Sequence, residues 1–303
     1  MRIERWGWVL AVAGWCFVAG GGCGGSGEPR YADSEMRIVS LAPAITQVVE
    51  ELGLRRAVVA VGAGDDIARP AAEDLGSFVD PDLERMSALA PTHLLAMTGR
   101  AGLPRRMVEL AERRRIVLAD LEYPADLGAA LGLIVEVGEA LGRGDRARAL
   151  SDRVRSELAG IERLTAGRPR PRVLLVFAAD PVMASGPGTV NDEVLRIAGG
   201  ENAAAGASVT APVYDREALR ALSPEVIVLM QPGRPPLSGM DDPRLDGFRG
   251  LALPAMQAER VYLLNDPAVL HPGPSVSITA ASLAVALHPD LAERVAEVFR
   301  GAP

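Results

Sequence analysis

The chain has 303 residues, 49% apolar and 23% charged, which is the balance of a folded protein with room for two domains and argues against disorder. A formal net charge of −7, with no Lys/Arg run interleaved with aromatics, offers no field for phosphates and argues against nucleic acid as a partner. The two cysteines, Cys16 and Cys23, both precede the globular part, so neither a disulfide framework nor a thiolate metal site is available to it.

The first segment reads MRIERWGWVLAVAGWCFVAGGGCGGSGEPR. Arg2 and Arg5 give a positive start, Trp6 to Ala19 an apolar stretch and Gly20 to Gly22 small residues, the layout of a secretory signal. The stretch is too short and too broken by glycine to span a membrane. Cys23 directly after those small residues resembles the lipobox cysteine of bacterial lipoproteins, which implies cleavage before Cys23 and lipid on its thiol; the alternative is an ordinary secreted chain. Residues 1–23 are therefore read as a signal peptide with a lipobox Cys, and residues 24–35 as a flexible tether. Either way the chain is expected outside the cytoplasm, in the periplasm or cell envelope.

From Met36 short β-rich runs alternate with amphipathic ones, the pattern of α/β folds with mostly parallel sheets. In the first lobe, residues 36–122, RIVSL (37–41) is a strand and AITQVVEELG (44–53) a helix with Ile45, Val48, Val49 and Leu52 on one face. AVVAVG (57–62) is a strand, residues 82–89 a short helix stopped by Pro91, THLLAM (92–97) a strand, MVELAERR (107–114) a helix and IVLAD (116–120) a strand. Residues 123–168 connect the lobes, and within them Leu150, Val154, Leu158, Ile161 and Leu164 make a stripe at helical spacing. That spacing predicts a helix from about Asp145 to Thr165, about 30 Å long at 1.5 Å per residue. A single rigid crossing of this kind predicts small opening and closing of the cleft. The second lobe, residues 169–303, repeats the order: RVLLVF (172–177), a helix after Thr189 whose cap partner is Asp192, a helix at 217–222, EVIVLM (225–230), RVYLL (260–264) and the helix SITAASLAVAL (277–287).

One short sentence is written twice. DLERMSALAPTHLL (82–95) lies over DREALRALSPEVIVL (215–229) at constant offset, so that Asp82, Glu84, Ala88, Leu89 and Pro91 meet Asp215, Glu217, Ala221, Leu222 and Pro224. Together with RIVSLAPAITQVVEELG and SGPGTVNDEVLRIAGGEN, these stretches resemble the helical-backbone (class III) substrate-binding proteins of ABC importers, the vitamin B12, haem and ferric-siderophore type. The resemblance covers nearly all of residues 36–288 and implies two Rossmann-like lobes with parallel-type sheets, joined by a single long helix, with a metal chelate in the cleft between them. It also implies a monomer, not an enzyme, that docks on an ABC permease with a separate ATPase subunit, and a membrane association through the lipid anchor. In such proteins each lobe presents one exposed glutamate to permease arginines, and Glu84 and Glu217 match those positions. Two distant carboxylates on one face give a two-point register for docking. Both residues also suit helix starts on electrostatic grounds alone.

In open α/β sheets a ligand sits beyond the carboxyl ends of the strands. That rule nominates Pro43, Asp66, Phe78, Arg100, Phe177, Tyr214, Arg234, Asp266 and His271. Phe78, the segment FAADP and Asp266 match the vitamin B12 binder by position, which favours a corrinoid. Haem is the next candidate, with His271 or Tyr214 as axial ligand and Arg100 or Arg234 on the propionates. A ferric siderophore stays open, since the same arginines could pair with an anionic chelate. Three histidines without clustering argue against a bare Zn²⁺ receptor; His93 is expected in packing and His288 at a surface helix end. Enzyme readings find no footing: GRGDRA (142–147) follows a helical segment where a dinucleotide fingerprint needs a strand, and SGPGT (185–189) lacks the P-loop lysine. No Gly-x-Ser-x-Gly elbow occurs, and the pairs Asp65-Asp66 and Asp241-Asp242 read as solvated turn residues. A ligand sensor or a secreted enzyme on the same scaffold is the more distant alternative.

Overall fold

Ile38 and Val39 are chain neighbours and both fully buried, yet they belong to different cores, as the period of two demands in a strand covered on both faces. The same alternation splits Leu94 from Leu95, and Val173 and Leu175 from Leu174 and Val176. A computed structural model describes residues 31–65, 67, 71–77, 80–99 and 102–300. The signal segment, Cys23, residues 24–30 of the tether and the cleft nominees Asp66, Phe78 and Arg100 lie outside the described residues.

In chain order the first lobe runs β1 (Ile38–Ser40), α1 (Pro43–Glu51), β2 (Val58–Val61), β3 (Glu73–Asp74), α2 (Leu83–Ala88), β4 (His93–Met97), α3 (Arg105–Arg114) and β5 (Val117–Leu121). Then come α4 (Leu127–Ala140) and α5 (Gly144–Thr165). The second lobe runs β6 (Arg172–Ala179), β7 (Val182–Ala184), α6 (Val190–Ile197), β8 (Glu201–Asn202), β9 (Val213–Tyr214), α7 (Arg216–Leu222), β10 (Val226–Met230), α8 (Pro254–Gln257), β11 (Val261–Leu264), α9 (Val276–Leu287) and α10 (Ala292–Arg300). The first sheet has the order β3-β2-β1-β4-β5 and is parallel throughout. The second, β11-β10-β6-β7-β9 with β8 beside β6, is mixed: β7 runs antiparallel to β6, and β9 to β7. The expected parallel-type sheet thus holds for β6, β10 and β11, while the chain doubles back after Ala179 to build an antiparallel edge.

The crossing helix α5 has 22 residues and reaches both lobes: Arg153 donates to Glu51 at 2.7 Å at the end of α1, and Arg196 of α6 donates to Glu162 at 2.8 Å. Leu150, Val154, Leu158 and Ile161 are buried along its inner face, with Leu164 partly so. Beside it lies α4, and the two cross so closely at Gly138 that a Cβ there would overlap the Cβ of Ala147. Gly142, at φ 65°, makes the left-handed turn between them, so GRGDRA is the break before the long helix.

One core cluster runs from α1 and β1 through α4 and α5 into β6, β10 and α9, and thus fills the space between the two sheets. Two smaller clusters cover the outer faces. Polar contacts add to this joint. Gln47 Oε1 of α1 accepts from Ser275 Oγ at 2.9 Å, and Glu157 Oε2 of α5 accepts from Ser277 Oγ at 2.6 Å, all four residues being buried. Gly273 lies so near α1 that an added Cβ would stand 2.9 Å from Gln47 Oε1. Among the described residues no helix is long and apolar enough to cross a membrane.

Candidate functional site

Each copy of the duplicated stretch folds the same way. Asp82 Oδ1 accepts from Arg85 N at 2.9 Å to start α2, and Asp215 Oδ1 accepts from Ala218 N at 2.8 Å to start α7. One side chain of each helix is fully buried, Met86 or Leu219. Ala90 and Ser223 then take the same left-handed φ of 45° before Pro91 and Pro224, and β4 and β10 begin at matching positions. Glu84 and Glu217 therefore occupy the same place, the second residue of the first turn, and both are exposed. A helix feeding a parallel strand runs antiparallel to it, so both first turns lie toward the sheet edge where the strands end, which is also the cleft edge.

At that edge of the second sheet a cavity of about 350 Å³ opens between the second lobe and the lead-in to α4, within the size range of small-molecule sites. Tyr123, Pro124 and Ala125, the lead-in to α4, form one wall. Phe177 at the end of β6, with Val269, Leu270, His271 and Pro272 from the loop after β11, forms another. The first turns of α6 and α9 face it through Gly188 to Asn191, Val194, Val276 and Thr279, and Ser185 and Thr210 complete the lining. The start of α6 is held in place by its cap: Thr189 Oγ1 accepts from Asp192 N at 3.2 Å, while Asp192 accepts from Gly188 N at 2.9 Å and from Asn202 Nδ2 at 2.9 Å. Backbone N–H groups at helix starts carry partial positive charge; the first turn of α6 already holds Asp192 and Glu193, so the start of α9, with no acidic residue in its first turn, is the wall suited to an anionic group. Tyr123 is 60% exposed at the mouth, and desolvation by the wall behind it raises its pKa, so the phenol is a neutral donor at physiological pH.

Of the residues nominated from sequence, Phe177 and His271 line this cavity together. Pro43 opens α1 at the same edge of the first sheet. Asp266 is exposed and supports the lining from outside, accepting from Ala268 N at 2.8 Å in the turn that brings Val269 to His271 into place. Arg234 is exposed on the loop after β10, with its carbonyl accepting from Asn265 Nδ2 at 2.8 Å, and is not part of the lining. Tyr214 is not brought together with Phe177 and His271: it stands on edge strand β9 and lines a separate, larger depression of about 570 Å³ with Arg172, Glu201, Asn202 and Leu222. That depression is larger but lies along the edge of the second sheet, away from the strand ends where ligands of open α/β sheets sit. His288 also departs from expectation, being the C-cap of α9 but buried, and Asp242 is a buried helix cap clamped to Arg244 at 2.7 Å rather than a solvated turn residue. Tyr123 is the functional candidate that sequence reasoning passed over, although the strand-end rule applied to β5 points to it. Among the described residues no group of three or more His, Cys, Asp or Glu could hold a metal ion.

The model of the periplasmic binding protein family matches residues 38–268. A vitamin B12-binding protein of Yersinia pestis is 27% identical over 201 residues, 65% of this chain and 70% of that protein. Among solved structures, a periplasmic heme-binding protein from Pseudomonas aeruginosa superposes with a TM-score of 0.68 at 26% identity, covering 84% of this chain and 93% of that one. The periplasmic vitamin B12-binding protein of Vibrio cholerae superposes with a TM-score of 0.65 at 21% identity, over 85% and 97% of the two chains, a likeness of fold.

Proposed function

The chain belongs to the periplasmic binding protein family, and on that premise we propose that it captures a metal-centred tetrapyrrole, a corrinoid such as vitamin B12 first, outside the cytoplasm and hands it to an ABC permease. The observation that carries this reading is the cavity at the strand ends of the second lobe, a largely apolar slot for one edge of a macrocycle, with Phe177 on one wall, Tyr123 to Ala125 on another and the starts of α6 and α9 turned toward it. A flat macrocycle gains by stacking on such a ring, and the propionates of a haem would gain from the start of α9. The vitamin B12-binding relative supports the corrinoid. Haem is the second reading, favoured by one feature: Tyr123 and His271 bring an oxygen and a nitrogen donor to the same cavity, the two kinds of axial ligand that a haem iron accepts. Cys23 carries the lipid that keeps the protein at the cell envelope, and Glu84 and Glu217 face the permease, whose partner subunit hydrolyses ATP.

Visible absorption titrations of the protein with cyanocobalamin, haemin and a ferric siderophore, each backed by calorimetry, test the reading. The expected result is saturable binding of one tetrapyrrole at one site, weakened about tenfold by Phe177→Ala, equivalent to roughly 1.4 kcal/mol. Tyr123→Phe removes the ligand-to-metal signature if the ligand is haem and leaves cobalamin binding intact. Binding of neither tetrapyrrole contradicts the proposal.

A further inference from the structure

The two copies of the duplicated stretch share a fastening that their letters do not show. In the first lobe Arg37 Nε donates to the carbonyl of Leu89 at 2.7 Å, Arg37 N donates to Thr92 Oγ1 at 2.9 Å, and Thr92 N donates to Arg37 O at 2.9 Å. In the second lobe Arg172 Nη2 donates to the carbonyl of Leu222 at 3.1 Å, Arg172 N to Glu225 Oε2 at 2.8 Å, and Glu225 N to Arg172 O at 2.9 Å. Thr92 and Glu225 are unlike residues at matching places, so the same three-bond clasp is built from different side chains. Each arginine stands where the chain enters the first strand of its lobe, β1 or β6, and grips one carbonyl at the C-terminal end of the helix, that of the cap residue Leu89 after α2 or of Leu222, the last residue of α7.

We propose that Arg37 and Arg172 are positioning residues that fix the direction in which the two lobes present Glu84 and Glu217. The proposal rests on the docking role assigned above to those glutamates. With six and seven residues, α2 and α7 are too short to hold themselves in water. Each is secured at three shared points: an aspartate at its start, one buried side chain in its middle, and an arginine on its final carbonyl, where a cation also meets the negative helix end. Without the arginine each helix loses the one shared contact at its C-terminal end and keeps its cap, its buried side chain and contacts that differ between the lobes, so it can pivot about its anchored start. The further contacts are not shared: Arg85 of α2 pairs with Glu73, whereas Arg216 of α7 donates to the carbonyls of Gly247 and Arg249. The clasp is thus the common device that would keep two docking points in register for a partner that reads both.

The test is a distance distribution by pulsed electron resonance between spin labels on Glu84→Cys and Glu217→Cys, in the chain carrying Cys16→Ser and Cys23→Ser. The parent is expected to give one narrow distribution. Adding Arg37→Ala and Arg172→Ala should shift and broaden it, whereas Arg168→Ala, which removes an ion pair with Asp290 elsewhere on the second lobe, should leave it unchanged. A distribution superimposable on the parent's overturns the proposal, including where thermal stability falls, because a purely structural arginine lowers stability without re-aiming the helices. The measurement needs neither ligand nor permease, so its failure is distinct from a failure of Glu84 and Glu217 to support uptake.

Discussion

At the scale of single residues the sharpest test of the packing is His93. It is 2% exposed in β4, with Tyr31 packed edge-on at a ring distance of 5.4 Å and Thr92 Oγ1 at 2.8 Å from Nδ1. Burial first, and the Arg143 charge second, pull its pKa from 6.5 down to about 4. A histidine whose pKa is depressed by folding stabilises the fold above its unfolded value, and that stability drains away as pH falls from 6.5 toward 4. At about 1.4 kcal/mol per pKa unit the loss is on the order of 3 kcal/mol. Thermal melts at steps across this window should show a falling midpoint in the parent and a flatter profile in His93→Gln; parallel profiles would remove His93 as the cause. Sequence alone pointed to packing for His93, because a histidine directly within an apolar strand has nowhere else to go. It misjudged His288, the C-cap of α9, which is buried close to Gly199 after α6, itself against Thr165 at the end of α5, a meeting of chain-distant ends that no local pattern records.

At the scale of elements the helix pair α4 and α5 carries the most instructive contrast. Gly138 has no room for a Cβ against Ala147, whereas Gly132, six residues earlier on α4, has only Glu136 Oε1 near its Cβ position, at 3.9 Å. Gly138→Ala should therefore destabilise by about 1–3 kcal/mol as the helices are forced apart. Gly132→Ala should stabilise by roughly 0.5–1 kcal/mol, through helix propensity alone. Opposite shifts of the urea midpoint are the expected outcome, and shifts of the same sign would contradict the close crossing. The long elements were legible because their apolar positions repeat: Ile45, Val48 and Val49 in α1, Leu150 to Ile161 in α5, and the runs that became β6 and β10. The strands β3, β7, β8 and β9 have two or three residues each, too few to display a period, and form because neighbouring strands offer free edges. That blind spot explains Tyr214. Without β9 in view, its neighbourhood read as a strand end facing the cleft, when the antiparallel edge carries it away to the flank. Phe177 and His271, which line one cavity, could be nominated because both follow long, readable strands.

At the scale of the whole molecule a stiff body carries the proposed two-point docking face. A single core passes from one lobe into the other, and Gln47, Ser275, Ser277 and Glu157 tie α1, α5 and α9 together, so ligand capture here is better served by a preformed cavity than by wide closure. With little movement available to signal occupancy, the partner has to recognise the protein through fixed surface features, and the proposed pair Glu84 and Glu217 is repeated by the sequence, placed at equivalent positions by the fold and exposed on both lobes, whereas the equally repeated Asp82 and Asp215 are engaged in capping their helices. The most direct measurement is uptake of labelled cobalamin or haem, whichever the protein binds, by cells that depend on this chain. The proposed function predicts that Glu84→Ala with Glu217→Ala binds the ligand as the parent does but abolishes uptake. Loss of binding in that variant, or uptake at the parental rate, would contradict it.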